Sequence, residues 1–344
     1  MERLDYFLKR FLLIFPTFLC ITFICFAICQ FVPGGPVDQA IMRMKGMGGD
    51  TNPSNNNSGI SEEQRKALEE HFGFNQPIHK RYWKWAWTNR IGLRMESYKF
   101  PNKTAWELVK ERFAVSLIFG IPGFFLTYLV CIPLGIAKAL RDGKAFDVVS
   151  SLIVFVGYAI PAFAFGMILK MLFCGTVDQL WDWFPVAGFV SDNYDSMTTF
   201  GKIKDMVHHM FLPVLCYMIG NFAVLTLLMK NSLLEEISKD YVRTVLAKGG
   251  TYRRAVWLHA VRNSLIPIVT GIGGIMTIMF AGSVLIEQVF EIPGMGRLSL
   301  EAITSRDYPV FMCILAVTSI LGLVGNIVSD LSYVLIDPRI NFRK

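Results

Sequence analysis

Six stretches of the chain contain no Asp, Glu, Lys or Arg over about 20 residues or more. A helix rises about 1.5 Å per residue, so roughly 20 residues cross the hydrocarbon core of a bilayer, about 30 Å thick. Proline and glycine within several stretches are typical of packed membrane helices. The pattern predicts an all-α polytopic membrane protein with six transmembrane helices. They are expected at 11–32, 113–137, 148–169, 210–229, 264–286 and 308–329.

Composition agrees with this pattern. Hydrophobic residues make up 53% of the 344 residues, charged residues make up only 18%, and the mean hydropathy is +0.43. A soluble domain carries about 25% charged residues, and a disordered chain is far less hydrophobic. Both classes are therefore excluded. The seven cysteines all lie in apolar stretches, which favours buried thiols over disulfides or zinc sites.

The distribution of Lys and Arg predicts the orientation. If the N-terminus is cytoplasmic, the four segments on that side carry 16 Lys or Arg, whereas the two short loops opposite, 175–207 and 287–307, carry four. Cytoplasmic loops carry such an excess, and a loop longer than about 60 residues, such as 33–112, translocates largely regardless of charge. We therefore expect both termini in the cytoplasm, and the net charge of +7 reflects topology instead of nucleic-acid binding. The cytoplasmic segments are 1–10, 138–147, 230–263 and 337–344.

The first stretch is expected to be retained as a transmembrane helix. Its 22 uncharged residues are more than the apolar region of a secretion signal contains, and no small-residue cleavage site follows them. The predicted organisation is then a cytoplasmic N-terminus and first helix (1–32), a long outer loop (33–112), a core membrane domain (113–336) and a cytoplasmic tail (337–344).

The outer loop 33–112 is predicted to form a small helical periplasmic cap. Its Asn- and Gly-rich part, 46–59, has almost nothing to bury and is expected to be flexible. Ser61 with Gln64, and Thr104 with Glu107, form capping boxes that begin helices. Between them, Pro77 is well placed to begin a helix with three tryptophans, which we expect at the headgroup level of the membrane. The alternative is an aromatic lining that faces a substrate. The tryptophans are Trp83, Trp85 and Trp87.

The segment 230–263 is the most informative part of the chain. Apolar residues recur every four positions from Leu233 to Val245, which predicts one amphipathic helix. Gly249 and Gly250 end it, and Thr251 can cap a second, basic helix. This pattern favours two hypotheses equally: a linker on the membrane surface, or a projecting helix that docks into a cytoplasmic partner.

Motifs within this segment resemble a known family. The runs DYVRTVLAKG at 240–249 and HAVRNSLIP at 259–267 resemble the EAA loop of binding-protein-dependent ABC importer permeases, in the dipeptide/oligopeptide/nickel branch. Two further runs more particularly resemble the Yej-type (oligopeptide and microcin C) permeases of the B-subunit kind: GPVDQA at 35–40 and GYAIPAF at 157–163. Supporting matches are PGGP at 33–36, GMGRL at 294–298, RDYP at 306–309 and DPRI at 337–340.

The resemblance implies a type I ABC importer permease fold in the bacterial inner membrane. The chain would form half of a pathway for oligopeptides. Its partners would be a second homologous permease subunit, two cytoplasmic ATPase domains and a periplasmic substrate-binding protein. The literal Glu-Ala-Ala of the loop is replaced by Arg243, Thr244 and Val245, so no acidic role is carried over to them. The implied ATPase-coupling residues are Leu233, Ile237, Asp240, Tyr241, Arg243, Thr244, Val245, Ala247, Lys248 and Gly249.

No sequence motif for ATP hydrolysis is present. The chain lacks GxxxxGK[ST], the loop that cradles phosphates, so we expect no enzyme, no catalytic residue and no bound cofactor; ATP and Mg would be used by the partner ATPases. The histidines are scattered, and the adjacent pair His208 and His209 favours an interfacial or core role over a metal site. Ionisable residues of the spans, Lys170, Glu287 and Asp330, lie near span ends, where they can snorkel.

The pathway itself is harder to assign. Asn221 is a candidate polar lining residue, although an interhelical hydrogen bond is equally plausible. Gly271, Gly273 and Gly274 permit either close helix packing or a wide lumen. Two alternatives remain for the function: a dipeptide or nickel permease of the same family, and a secondary carrier or channel.

Overall fold

The structure is a computed structural model that describes residues 2–31, 66, 70, 75–177, 180–270 and 283–336. The chain divides into two compact units. One unit comprises Met1–Arg10, Phe113–Arg297 and Leu321–Lys344, and the other comprises Phe11–Arg112 and Leu298–Ile320. Within the described part of the chain the regular structure is helical, and strand pairing is limited to isolated bridges.

Helices account for most of the described residues. They are α1 (Glu2–Phe31), α2 (Ile78–Trp83), α3 (Ala105–Ala139), α4 (Ala145–Ala159), α5 (Ala162–Phe173), α6 (Thr199–Ser238), α7 (Asp240–Ala247), α8 (Tyr252–Ala255), α9 (Val261–Ser264), α10 (Ile266–Thr270), α11 (Val284–Val289), α12 (Met295–Thr304) and α13 (Tyr308–Ile336). A π-helical turn, Lys84–Thr88, continues α2, and a second, Val256–Ala260, joins α8 to α9.

Four helices are long and apolar enough to cross a membrane: Leu8–Gln30 within α1, Ala105–Ala139, Thr199–Ser238, and Tyr308–Leu331 within α13. They coincide with the first, second, fourth and sixth predicted spans, and the prediction of a polytopic helical membrane protein is confirmed. The fifth predicted span, 264–286, extends beyond the described residues from 271 to 282. The count of six therefore stays a prediction.

The prediction of one continuous helix at 148–169 is wrong. Helices α4 and α5 are bent by 97° at a short break. A residue before proline is disfavoured in the helical region, and Ile160 is accordingly extended, with φ −90° and ψ 119°. Pro161 lacks an N–H to continue α4, and it begins α5 by accepting a hydrogen bond from the Phe165 N–H (2.9 Å).

Two hydrophobic clusters hold the unit that contains 113–297. One joins the second half of α3, the second half of α6 and the segment 241–268, with Met229 and Leu233 fully buried. The other joins α5 and the first halves of α3 and α6 to 286–292, around Phe119. Helices α3 and α6 approach closely, since a Cβ on Gly135 would lie 2.5 Å from the Met229 Cβ. Small residues permit such approach between membrane helices.

The described part of the predicted cap packs against helices of the unit to which it belongs, the one that contains Phe11–Arg112. Tyr82 and Trp85 are buried in a cluster with Phe26, and the Tyr82 hydroxyl lies 2.8 Å from the Thr22 hydroxyl. Trp85 is only 3% exposed, so it contacts protein instead of lipid headgroups, and its level in the membrane stays a prediction. For the exposed Trp83 and Trp87 that prediction stands.

The two predicted capping boxes have different outcomes. Thr104 and Glu107 form theirs: the Glu107 N–H donates to the Thr104 Oγ1 (3.3 Å) and the Thr104 N–H donates to the Glu107 Oε2 (2.8 Å). This box begins α3. Ser61 and Gln64, as well as the predicted flexible run 46–59, lie outside the described residues.

Candidate functional site

The segment 230–263 contains two helices where the sequence predicts one. Helix α6 ends at Ser238, α7 begins at Asp240, and Lys239 between them is extended, with φ −72° and ψ 150°. The apolar stripe therefore crosses a break: Leu233 and Ile237 belong to the end of α6, whereas Tyr241 and Val245 belong to α7. The prediction of one continuous helix is wrong here.

Side chains on both sides of the break stabilise it. The Glu236 carboxylate accepts a hydrogen bond from the Tyr241 hydroxyl (2.5 Å) and another from the Lys239 ammonium. Lys239 also lies 3.4 Å from Glu235, four residues before it. The hydrogen bond to Glu236 raises the pKa of Lys239, and burial, reinforced by Glu236, raises the pKa of Tyr241. Both groups therefore remain protonated donors at neutral pH.

Helix α7 has a buried face and an exposed face. Val242 is buried and belongs to the same hydrophobic cluster as the fully buried Leu233, and Ile237, Tyr241 and Val245 pack against that cluster. Leu233 is therefore buried in this cluster and is not exposed to a partner protein. The exposed residues are mostly polar or small, with one large apolar residue, Leu246, among them. The polar and small ones are Asp240, Arg243, Thr244, Ala247 and Lys248.

Arg243 projects from this exposed face. Its side chain is 77% exposed and lies 3.6 Å from Asp240, which is 95% exposed. An exposed pair one helical turn apart contributes little stability, typically under about 1 kcal/mol. The contact with Asp240 therefore gives Arg243 no large contribution to stability.

Gly249 and Gly250 end α7 as predicted. The Gly249 N–H donates to the Leu246 carbonyl (2.9 Å) and the Gly250 N–H to the Val245 carbonyl (3.0 Å), the two bonds of a Schellman motif. Gly249 has φ +83°, a conformation that side chains with a Cβ disfavour. A Cβ there would meet nothing within 4 Å, so the requirement for glycine comes from the backbone.

A second, basic helical segment follows the turn, as predicted. The Thr251 side chain caps it by accepting from the Arg254 N–H (3.3 Å). The segment carries buried Ala255 and Val256 on its inner side, and it returns to α6, where the Ser232 hydroxyl donates to the Ser264 carbonyl (3.0 Å). The loop is therefore a folded element with its own packed interior.

The candidate pathway residues are only partly described. Asn221 is half-buried on α6. Gly271, Gly273 and Gly274 lie outside the described residues, so their assignment stays a prediction.

The two adjacent histidines contact different backbone carbonyls. The Nε2 of His208 lies 2.6 Å from the Trp183 carbonyl, and the Nδ1 of His209 lies 3.0 Å from the Asp205 carbonyl. No group of three or more His, Cys, Asp or Glu within the described ranges is arranged to hold a metal.

Glu287 does not snorkel, and this prediction is wrong. The residue is 1% exposed, and its carboxylate accepts hydrogen bonds from the Ser116 hydroxyl (3.1 Å) and the Arg297 N–H (2.8 Å). A Cβ on Gly294 would lie 2.5 Å from the carboxyl carbon. Glu287 is close in sequence to the GMGRL run that contains Arg297. Its other partner, Ser116 on α3, is 171 residues away, and no sequence pattern indicates that contact.

The hydrogen bonds of Glu287 lead to a prediction about stability. Glu287→Leu removes the acceptor for the Ser116 hydroxyl on α3 and for the Arg297 N–H on α12. Each buried donor that loses its partner costs about 1 to 3 kcal/mol. We expect a lower midpoint of thermal unfolding for the detergent-purified chain. Glu291→Gln is the matched control, because the Glu291 side chain is 57% exposed and 4.0 Å from Lys170. Equal midpoints for the two variants would contradict a structural role for Glu287.

A buried charge cluster joins α3, α4 and α6, and sequence reasoning missed it because 138–147 was assigned to a solvent-exposed loop. Lys138 is completely buried and lies 3.1 Å from the Asp147 carboxylate. Lys230, on α6, lies 2.7 Å from the same carboxylate and 2.8 Å from Asp142. A signal existed in the sequence: Lys138 directly follows an apolar run and Asp147 directly precedes the next one.

Comparisons with known proteins identify the class. A family model described as the binding-protein-dependent transport system inner membrane component matches residues 131–342. The chain is 40% identical to the inner membrane ABC transporter permease protein YejB of Escherichia coli O157:H7, over 98% of both chains. It therefore belongs to the family of inner membrane components of binding-protein-dependent transport systems. It is a multi-pass membrane protein, and the predicted resemblance to this family is confirmed.

Two further relatives come from the same branch. The chain is 37% identical to the peptidoglycan transport system permease protein YejB of Agrobacterium fabrum, over 98% of both chains. It is 31% identical to the oligopeptide transport system permease protein AppB of Bacillus subtilis, over 98% of this chain and 99% of that one. The more particular resemblance to Yej-type permeases is thus also confirmed.

Proposed function

We propose that this chain is one permease subunit of an ATP-driven ABC importer and forms half of the translocation pathway for oligopeptides, including microcin C-like peptides. Membership of the family supports the class, and the relatives, which include an oligopeptide transport permease and a peptidoglycan transport permease, support the cargo. The single observation that carries the mechanism is α7. It is a short helix that directly follows the long helix α6, with a packed apolar face and an exposed face that is mostly polar.

In this proposal α7 is the element that docks into a cytoplasmic ATPase. Arg243 and Lys248 are exposed and would meet acidic or carbonyl groups on the ATPase. ATP, with Mg, would be bound and hydrolysed by two ATPase domains outside this chain, which has no catalytic role of its own. Closure of the ATPase pair would move α7, and the bundles would rock between inward-facing and outward-facing states.

The remaining partners follow from the same proposal. A second homologous permease subunit would complete the pathway, and a periplasmic substrate-binding protein would deliver and select the peptide. Both termini would face the cytoplasm of a bacterial inner membrane, which the excess of Lys and Arg in the cytoplasmic segments supports. Selection by the binding protein is compatible with a pathway whose candidate polar residue, Asn221, is uncharged.

Uptake measurements test the proposed cargo. A strain that lacks the chain is expected to lose uptake of labelled oligopeptides, and the intact gene is expected to restore it. Restored uptake of dipeptides alone, or of nickel, would reassign the cargo within the family. Solute transport by the purified chain in liposomes without ATPase partners would instead establish a carrier or channel and contradict the proposal.

Charge reversal at Arg243 tests the docking role. Arg243→Glu is expected to lower ATP-driven uptake at least about fivefold, the effect of losing a coupling of about 1 kcal/mol, because a carboxylate would face the acidic or carbonyl groups of the ATPase. Membrane insertion should be unchanged, since the side chain is 77% exposed. Arg243→Lys, which keeps the charge, is the matched control. Wild-type uptake by Arg243→Glu would place the ATPase contact elsewhere.

A further inference from the structure

The buried charge cluster described above contains four groups that differ in exposure. The Lys138 side chain is 0% exposed, Asp147 is 8% exposed and Lys230 is 14% exposed, whereas Asp142 is 53% exposed. Two cations therefore face two carboxylates, which balances the charge of the cluster. Buried ion pairs of this kind persist only when their remaining hydrogen-bonding groups are also satisfied.

Lys138 meets that requirement within the α3–α4 hairpin, Ala105–Ala159, whereas the Oδ1 of Asp147 lies 3.1 Å from the Lys138 ammonium as an ion pair and accepts no hydrogen bond. The Lys138 ammonium donates to the Asp147 carbonyl (3.0 Å) and to the hydroxyls of Ser150 (2.9 Å) and Ser151 (2.7 Å). The Asp147 carboxylate also accepts from the Gly143 N–H (3.2 Å) in the turn. Lys138 lies in the last turn of α3 and Asp147 in the first turn of α4, where each charge is favoured by the helix dipole.

Lys230 has a different role, because it belongs to α6. Its ammonium donates to the Asp147 carboxylate at 2.7 Å and thereby connects the hairpin to α6. Lys138 closes the hairpin on itself, and Lys230 is the charged link from the hairpin to the helix that leads into α7.

The position of Lys230 along α6 connects this link to α7. It lies eight residues before Ser238, the end of α6, which is about 12 Å along the axis at about 1.5 Å per residue. Between them lies the fully buried Leu233, which belongs to the same hydrophobic cluster as Val242 of α7. A displacement of α7 is therefore delivered to the last turns of α6, and the ion pair of Lys230 with Asp147 connects this part of α6 to the α3–α4 hairpin.

We propose that the Lys230–Asp147 ion pair transmits the movement of α7 to the α3–α4 hairpin during the transport cycle. Lys230 is thus a positioning residue that couples ATP hydrolysis to uptake without contacting either ATP or peptide. The inference rests on the proposed function, since it requires α7 to be driven by an ATPase. Chains of packed side chains and ion pairs carry coupling of this kind, and substitutions within them alter it by about 0.5 to 2 kcal/mol.

The number of ATP molecules hydrolysed for each peptide transported separates this role from a purely structural one. Loss of stability reduces the amount of assembled transporter, and it lowers hydrolysis and uptake together, so their ratio is unchanged. Loss of transmission lowers uptake while hydrolysis continues, so the ratio rises. The experiment uses the full importer, assembled from both permease subunits, the ATPases and the binding protein, in liposomes with a labelled oligopeptide that the wild type transports.

Lys230→Met is expected to raise the ratio between about twofold and about thirtyfold, the range that corresponds to the stated coupling energies. Lys230→Arg, which retains the charge, is expected to restore most of the coupling. Lys230→Gln provides a second neutral variant in case Lys230→Met assembles poorly, and it should also raise the ratio. Lys103→Met is the matched control: it removes a lysine from an exposed ion pair with Glu111 (3.0 Å) and should leave the ratio unchanged.

The outcomes distinguish the two proposals. If the wild-type importer hydrolyses ATP and transports no peptide, the proposed function fails. If the wild type transports peptide and both neutral variants keep its ratio, the proposed function stands and the role of Lys230 in transmission is overturned. A raised ratio in Lys103→Met as well would also overturn it, because the effect would then not depend on this ion pair.

Discussion

A Gly249→Val variant is expected to insert into the membrane and to take up peptide about fivefold to thirtyfold more slowly than the wild type. Gly249 has φ +83°, and an L-residue in the left-handed region costs about 1 to 2 kcal/mol. The β-branch of valine makes that conformation especially unfavourable. Relief of the strain requires the turn to open, which would break the bonds from the Gly249 and Gly250 N–H groups to the end of α7.

The expected loss arises from the backbone and not from a collision, because a Cβ at Gly249 has no neighbour within 4 Å. Gly249→Asn is therefore the matched control: asparagine adopts the left-handed region readily, and it should retain most of the uptake. The measurement is ATP-driven uptake at equal amounts of assembled transporter. Normal uptake by Gly249→Val would show that the end of α7 does not need this geometry, and it would count against α7 as the docking element.

Asp147→Ala is expected to destabilise the chain by about 3 to 5 kcal/mol, the cost of leaving a buried charge without its partner. Lys138 is completely buried, and the Asp147 carboxylate lies 3.1 Å from its ammonium. The same carboxylate is 2.7 Å from Lys230, so one substitution leaves two lysines without this acceptor. The result would be a large fall in the yield of monodisperse protein and in its unfolding temperature in detergent.

The control for this prediction is Asp192→Ala, which removes an aspartate from an exposed position of the same unit. Surface substitutions of this type change stability by about 0.5 kcal/mol or less. The comparison is made by thermal unfolding of both variants in one detergent. If Asp147→Ala unfolds at the temperature of Asp192→Ala, then Lys138 is satisfied by its backbone and serine contacts alone.

The features that sequence predicted correctly depend on neighbours in the chain. The Gly249–Gly250 end of α7, the Thr251 cap and the Thr104–Glu107 box are each formed within four or five residues. The residue types required by such motifs are visible directly in the sequence. The apolar and polar faces of α7 were predictable for the same reason, since its periodicity is local.

The features that sequence missed depend on contacts between distant segments. Glu287 is buried because Ser116, 171 residues away, donates to it, and periodicity says nothing about that contact. Lys230 is 83 residues from Asp147. The bend at Pro161 was missed for another reason: prolines are tolerated within membrane helices, so the residue alone does not distinguish a kinked helix from a break of 97°.

The extended backbone at Lys239 has a consequence for the direction of α7. A single residue outside the helical region supplies only two rotatable backbone angles, so the axis of α7 is not fixed by continuity with α6. Its direction depends on side-chain contacts: Val242 belongs to the hydrophobic cluster that contains Leu233, and the Tyr241 hydroxyl donates to the Glu236 carboxylate. Changes to these two contacts would change the direction of the helix without shortening or melting it, and they offer a way to vary its angle independently of its chemistry.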